Sequence, residues 1–239
     1  MKKIKLALLS GGISSEREVS LNSGDQVFDA LDKDRYQITR YDPKTDLPQL
    51  VLDAAHIDAA LIILHGPFGE DGTVQGLLDL LDIPYQGAGI LGSAVAMNKL
   101  IAKRLYDGAG VPTPAYLSFS INHEIKIQEV INTLDLPLVV KPACAGSSVG
   151  MTIVKAQHDL EAAIALGFEH DDTLVIEKYI KGTEGELSVL ETNTIPGMTA
   201  TSLFPQSAQV GGYSFSALLD KLIQLAIEEN KKLNLRRAK

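Results

Sequence analysis

From Lys3 to about Asn98 the sequence alternates short apolar runs with stretches of helical periodicity, and few architectures accept that alternation. KLALLS reads as strand and SEREVSLNSGDQVFDALD as helix. YQITRYD and AALIILHG follow as strands, and GTVQGLLDLLD as a helix with Val74, Leu77, Leu78 and Leu81 on one face. A short strand is expected at Pro84 to Gln86. Such a chain buries its strands between helices, so this half is expected to be an open, mostly parallel α/β domain spanning residues 1–97.

The register changes after SAVAMNKLIAKRLYDGAG, read as one helix ended by Gly108 and Gly110 and then Pro112 and Pro114. A boundary is placed near Asn98, with residues 98–239 as a second, α+β domain. There AYLSF, PLVVKPA, MTIVKA, TLVIEKYI and ELSVLETN read as strands. HEIKIQEVINTL, QHDLEAAIALGFE and the closing FSALLDKLIQLAIEENKK read as helices.

Composition removes several function classes. A net charge of −8, from 22 basic and 30 acidic side chains, argues against a protein devoted to neutralising nucleic-acid phosphates. One cysteine, Cys144, allows neither an internal disulfide nor a multi-thiolate zinc site and fits a reducing cytosol. The apolar part of MKKIKLALLSGG is too short for a signal peptide, and no run of eighteen apolar residues offers a membrane span, so a cytoplasmic protein without a membrane partner is expected.

Open sheets take ligands outside the carboxyl ends of their strands. That rule singles out SGGISSERE after the first strand, with Glu16, Arg17 and Glu18, and HGPFGEDG after the third, with His65, Glu70 and Asp71. A carboxylate there can hold a substrate ammonium. His65 is a candidate through its place at a strand end, with a satisfied structural histidine as the alternative. His56, His123, His158 and His170 lack such a context and are expected at the surface or at helix ends.

In the second half, KPACAGSSVGM brings Lys141 into a turn containing Gly146, Ser147, Ser148 and Gly150. Amides and hydroxyls in such a turn can converge on phosphate oxygens beside a mobile positive charge; an ordinary glycine-rich hairpin is the alternative. The turn joins two strands and lacks GKS or GKT, so it is not a P-loop. VIEKYIKGTE carries Glu177, Lys178 and Glu184, which suits adenosine recognition by main-chain groups at Lys178 to Ile180 and a carboxylate on the ribose, although Lys178 also reads as a plain exposed strand residue. Glu191 and Asn193 stand two apart on an expected strand, hence on one face, an oxygen pair suited to Mg²⁺ between protein and phosphates and equally common on a solvated strand. Gly197 and the hydroxyls of Thr199, Thr201 and Ser202 follow. GAGILG matches G-x-G-x-x-G, but it is not the first βα turn and no acidic strand end lies about 20 residues on, so it reads as a tight turn rather than as a dehydrogenase fingerprint.

Taken in order, LSGGISSEREVSLNSG, LHGPFGEDGTVQGLL, PYQGAGILGSAVAMNKL, VVKPACAGSSVGM, IEKYIKGTE and LETNTIPGMTATSLFPQ resemble the D-alanine:D-alanine ligases of the ATP-grasp superfamily. The resemblance implies a Rossmann-like substrate domain followed by an ATP-grasp domain. It also implies a cytosolic homodimer that joins two D-alanines for peptidoglycan synthesis, using ATP and Mg²⁺ or Mn²⁺. It assigns Glu16, with the Ser148 hydroxyl, to the first substrate's ammonium, and places His65 nearby. Lys99, Lys141 and Ser147 to Gly150 would serve the phosphates. Glu177, Lys178 and Ile180 would meet the adenine or its surroundings, and Glu184 the ribose. Glu191 and Asn193 would hold the metal, Gly197 would offer its amide to the oxyanion, and Ser202 and Leu203 would meet the second substrate.

The chain also departs from the family pattern. Between Glu184 and Gly185-Glu186-Leu187 family members carry a long stretch, absent here, which supplies a lid loop, an arginine for the acyl phosphate and an aspartate for magnesium. The ATP-grasp domain is therefore expected to be incomplete and turnover impaired. A non-catalytic module binding ATP or a D-amino acid, and a D-alanine:D-lactate ligase, are the alternatives.

Overall fold

The computed structural model of the chain describes residues 2–146, 148–182, 187–199 and 201–237, with side chains as far as Leu235. It divides into two units, residues 1–94 with 194–239 and residues 95–193. The first rests on three parallel strands, β1 (Ile4–Leu9), β2 (Tyr36–Tyr41) and β3 (Ala59–Ile62), in the order β2-β1-β3. Ile4 pairs with Tyr36, and Leu6 with Ala59. Parallel neighbours need crossovers, and α1 (Arg17–Ala30) and α2 (Leu47–Asp53) lie in the two connections.

Alternation along these strands divides their apolar residues between two cores. Leu6, Leu8, Leu61 and Ile63 meet Val27 of α1 and Leu219 and Ile223 of α9 (Phe215–Arg237). Ala7, Leu9, Ala60 and Ile62 meet Leu50 of α2 and Val74 and Leu78 of α3 (Thr73–Leu80). The short strand expected at Pro84 to Gln86 is a single bridge, Tyr85 to Ala60.

The expected long helix is two: α4 (Gly89–Met97) and α5 (Lys99–Gly108). Asn98 separates them with extended backbone, φ −92° and ψ 98°, and its side chain accepts a hydrogen bond from the Ile101 amide at 3.0 Å as an N-cap. The second unit then builds an antiparallel sheet in the order β4-β7-β5-β6 from β4 (Tyr116–Ser120), β5 (Leu138–Pro142), β6 (Thr152–Val154) and β7 (Thr173–Lys178). Helices α6 (Ile127–Leu134) and α7 (Leu160–Phe168) cover one face.

Three further features differ from the sequence reading. Residues 194–239 belong with the first unit, not with the second half, because Leu219 and Ile223 find the β1/β3 face; an amphipathic pattern shows that a helix is buried, not on which sheet. Residues 187–193 form no strand. A strand needs a ladder partner, and the described main-chain bond here is from the Val189 amide to the Pro112 carbonyl at 2.8 Å. Helix α2 and α8 (Leu203–Val210) arise in stretches to which no element was assigned, each with a proline among its first three residues, a position that suits proline's fixed φ and missing amide hydrogen.

Candidate functional site

The sheet of the second unit has two unlike faces. Leu138 and Val140 of β5 and Leu174 and Ile176 of β7 turn into the core, so the alternate residues Val139, Lys141 and Glu177 project from the other side. Glu177 lies opposite Val139 on one neighbour and Tyr116 on the other. On that side is a cavity of about 300 Å³ lined by Lys99, Lys141, Glu177 and Glu191. Met151, Ile153, Ile180 and Leu190 supply apolar wall, and Ser148 and Lys178 also reach it. Apolar wall beside a few convergent charges suits a ligand with a flat apolar part and an anionic tail.

The charges are organised around Glu177, a carboxylate only 3% exposed. One oxygen lies 2.5 Å from Lys141 Nζ and the other 2.8 Å from Lys103 Nζ. Lys103, 1% exposed, also donates to Thr113 Oγ1 at 2.8 Å and to the Pro114 carbonyl at 3.2 Å, and its ammonium stands 4.9 Å from the Tyr116 ring centre. Burial draws the Lys103 and Lys99 ammonium groups below the usual lysine range, against the pull of Glu177 on the first and of Glu191 on the second. Lys99, Lys141 and Lys178 line the cavity against Glu177 and Glu191, with Lys103 behind the wall, which leaves the cavity suited to an anion.

The loop beside it is tied at several points. Lys99 donates its amide to the Ala143 carbonyl at 2.8 Å and its ammonium to the Ala145 carbonyl, while the Cys144 amide donates to Asp171 at 2.7 Å. Ser148 is exposed and left-handed, φ +60°. Gly150, φ +67°, cannot take a side chain: a Cβ there would lie 2.6 Å from the His170 ring and 2.8 Å from Pro142. His170, exposed just past the end of α7 as expected, also packs beside this loop.

In the first unit the loop after β1 is built by charge. A Cβ on Gly11, φ +95°, would overlap the Asp42 carboxylate at 2.7 Å; that carboxylate accepts from the Gly12 amide at 2.9 Å and pairs with Arg17 at 2.6 Å. Burial works to raise the Asp42 pKa, but bonds from Arg17, Gly12 and Lys44 outweigh it and hold the carboxyl below its usual range. Ser14 donates to the His65 carbonyl at 2.7 Å, joining this loop to the one after β3. His65 is 7% exposed; burial lowers its pKa below 6.5, against the opposing charge of Glu16. A cavity of about 150 Å³ lies against Gly11, Gly12, Ser14, His65 and Phe68. Glu16 is half-buried just before α1. Near the C-terminus Ser202 accepts from the Thr199 amide at 3.1 Å and crowds Gly197, where a Cβ would fall 2.8 Å from its hydroxyl. Leu203, first residue of α8, is 82% exposed.

Of the residues singled out in the sequence, Lys99, Lys141, Ser148, Glu177, Lys178, Ile180 and Glu191 therefore share one cavity, and Glu16 and His65 sit on adjoining loops. Asn193 is exposed and does not line the cavity, since without a strand it does not share a face with Glu191. Lys178 is about half exposed and lies 3.5 Å from Asp135. Ser147 and Glu184, and the junction at residues 183–186, lie outside the described residues. Lys103 was not anticipated; its signal was the four-residue spacing from Lys99, which puts both on one helical face.

Among the described residues no three His, Cys, Asp or Glu side chains are grouped to hold a metal. Glu191, which lines the cavity without Asn193, fits only an ion that takes most of its ligands from phosphate and water, as magnesium does.

Comparison with known proteins agrees with this arrangement. The family model for the D-Ala-D-Ala ligase N-terminus matches residues 42–88, and that for the C-terminus matches in two segments, 105–192 and 182–224. A D-alanine–D-alanine ligase of Syntrophobacter fumaroxidans is 43% identical over 308 aligned positions, covering 95% of this chain and 99% of the relative. One from Desulfotalea psychrophila is 37% identical over 96% of this chain and 97% of its own length. The crystal structure of the Bacillus anthracis ligase superposes with a TM-score of 0.87 at 31% identity, covering 96% of this chain and 99% of that one; a second, complexed with ATP, gives 0.85. The alignments are longer than the 239 residues here, so a stretch of each relative has no counterpart, and the two C-terminal segments overlap at residues 182–192. On the strength of these matches, the chain belongs to the D-alanine–D-alanine ligase family.

Proposed function

We propose that this chain binds ATP with magnesium and D-alanine and carries the ligation of two D-alanines, with turnover limited by the shortened second unit. The observation that carries the reading is the buried Lys103–Glu177–Lys141 group on the wall of a cavity that also holds Lys99 and Glu191. In this reading the purine lies against Val139, Met151, Ile153 and Ile180, with Glu177 and Lys178 at its edge and Glu184 on the ribose. Lys99, Lys141 and the loop of Ser147 and Ser148 meet the phosphates. Glu191 would hold magnesium from the cavity wall, where the ion would supply neutralising charge to the phosphate oxygens; Asn193, off that wall, would have to turn toward it to share the role.

In the first unit Glu16 holds the ammonium of one D-alanine. His65, neutral at pH 7, is positioned by burial to act as a hydrogen-bond partner rather than as a competing cation. The D-alanine carboxylate attacks the γ-phosphorus and ADP leaves; the amine of a second D-alanine, placed by Ser202 and Leu203, then displaces phosphate from the acyl phosphate and loses a proton. Gly197 offers its amide to the tetrahedral oxyanion. Positioning and charge neutralisation suffice for such chemistry, and no protein nucleophile is required.

The family resemblance further supports a homodimer formed through the first unit, where Leu52, Leu80 and Leu91 are 75%, 87% and 77% exposed. The cytoplasm fits the single cysteine; no helix among the described residues is long and apolar enough to cross a membrane.

A second reading, a nucleotide- and D-amino-acid-binding module without turnover, is favoured by the lack, among the described residues, of a group of three side chains that could hold a metal. Phosphate release from ATP with and without D-alanine separates the two. Loss of one oxyanion donor alone typically costs about 10²- to 10³-fold, so D-alanine-dependent release is expected at least that far below an intact relative. A rate equal to the relative's contradicts the claim of limited turnover, and none at all favours the binding module.

A further inference from the structure

The proposed nucleotide reading leaves Lys103 without a role, since it lies behind the cavity wall rather than on it. We infer that Lys103 is a positioning residue, a standing counter-ion for Glu177 that frees Lys141 to move onto an anionic ligand; this rests on the reading of that cavity as a phosphate-bearing nucleotide site. Glu177 is held from two sides. Lys141, which lines the cavity, takes one carboxylate oxygen, and Lys103, closed off from solvent, takes the other.

Lys103 has no slack. Its described polar contacts are the ion pair with Glu177 and hydrogen bonds to Thr113 Oγ1 and the Pro114 carbonyl, and the Tyr116 ring stands beside it. It is therefore fixed in the wall, while Lys141 has cavity on one side. With Lys141 alone, moving that ammonium to a phosphate would leave a buried carboxylate unpaired, and this cost would be subtracted from binding. With Lys103 in place, Glu177 keeps a partner throughout, and the pair left behind by Lys141 is neutral rather than a bare negative charge.

The test compares Lys103→Met, Glu177→Gln and the double variant with the unaltered chain. It uses calorimetric titration with ATP and with adenosine, which lacks phosphates, at constant magnesium. Lys103→Met is expected to lower the ratio of ATP to adenosine affinity at least tenfold when Glu177 is present, and less than threefold when residue 177 is glutamine and needs no counter-ion. Should Lys103→Met alone not fold, Lys103→Gln, which leaves a donor for Glu177 but no cation, takes its place with the same tenfold expectation, beside Glu177→Gln and the corresponding double variant. The ratios of these last two are expected to agree within threefold, and a tenfold difference overturns the inference.

An equal fall of the ratio in both backgrounds, or no fall in either, shows Lys103 to be merely structural and overturns the inference while leaving the nucleotide reading intact. Absence of ATP binding by the unaltered chain overturns the nucleotide reading and this inference with it.

Discussion

His65 shows what burial does to one side chain at a strand's end. It is nearly enclosed, and its pKa is held below 6.5 by loss of solvent despite the nearby Glu16. Above pH 6.5 the imidazole is neutral in both folded and unfolded chains, and its contribution to stability is fully present. As the pH falls through that value the unfolded chain takes up the proton first, so stability is lost. Melting temperatures at pH 7.5 and 5.5 should therefore drop more for the unaltered chain than for His65→Asn; parallel drops would mean that His65 is not a neutral buried group. At this scale the sequence was legible wherever a residue stood in a motif, as Lys141 and Glu177 did. Lys103 escaped because a lysine in a helix ordinarily covers a solvated face, and only the sheet behind it makes it internal.

Elements were readable where pattern and partner coincide. The apolar alternation of β1 and β3, and of β5 and β7, follows directly from their place between layers. Residues 187–193 carry the same kind of alternation, but the family stretch that would precede them is absent, and they form no ladder. Helix α9 fails differently: its amphipathic pattern is clear and its docking site is not. The assignment of α9 to the first unit has a direct check. Ile223 is fully buried against the β1/β3 face, so Ile223→Ala should cost about 2–4 kcal/mol in urea unfolding, whereas Leu235→Ala, at a position 68% exposed, should change stability by less than about 0.5 kcal/mol. Equal effects would contradict that packing.

For the molecule as a whole, the alignment with relatives runs nearly end to end while one internal stretch is missing. That combination keeps the cavity of the second unit, built from β5, β7, α5 and their loops, and removes what the resemblance assigns to the lid and the third metal ligand. The negative net charge does not oppose a triphosphate ligand, because attraction is set locally by Lys99, Lys103 and Lys141 rather than by the total. The central claim is that this cavity is a working nucleotide site, and calorimetric titration of ADP with magnesium into the unaltered chain and into Lys141→Met addresses it most directly. Saturable binding by the unaltered chain, weakened at least tenfold by the substitution, is the predicted result; no binding, or equal affinity in both proteins, would contradict it.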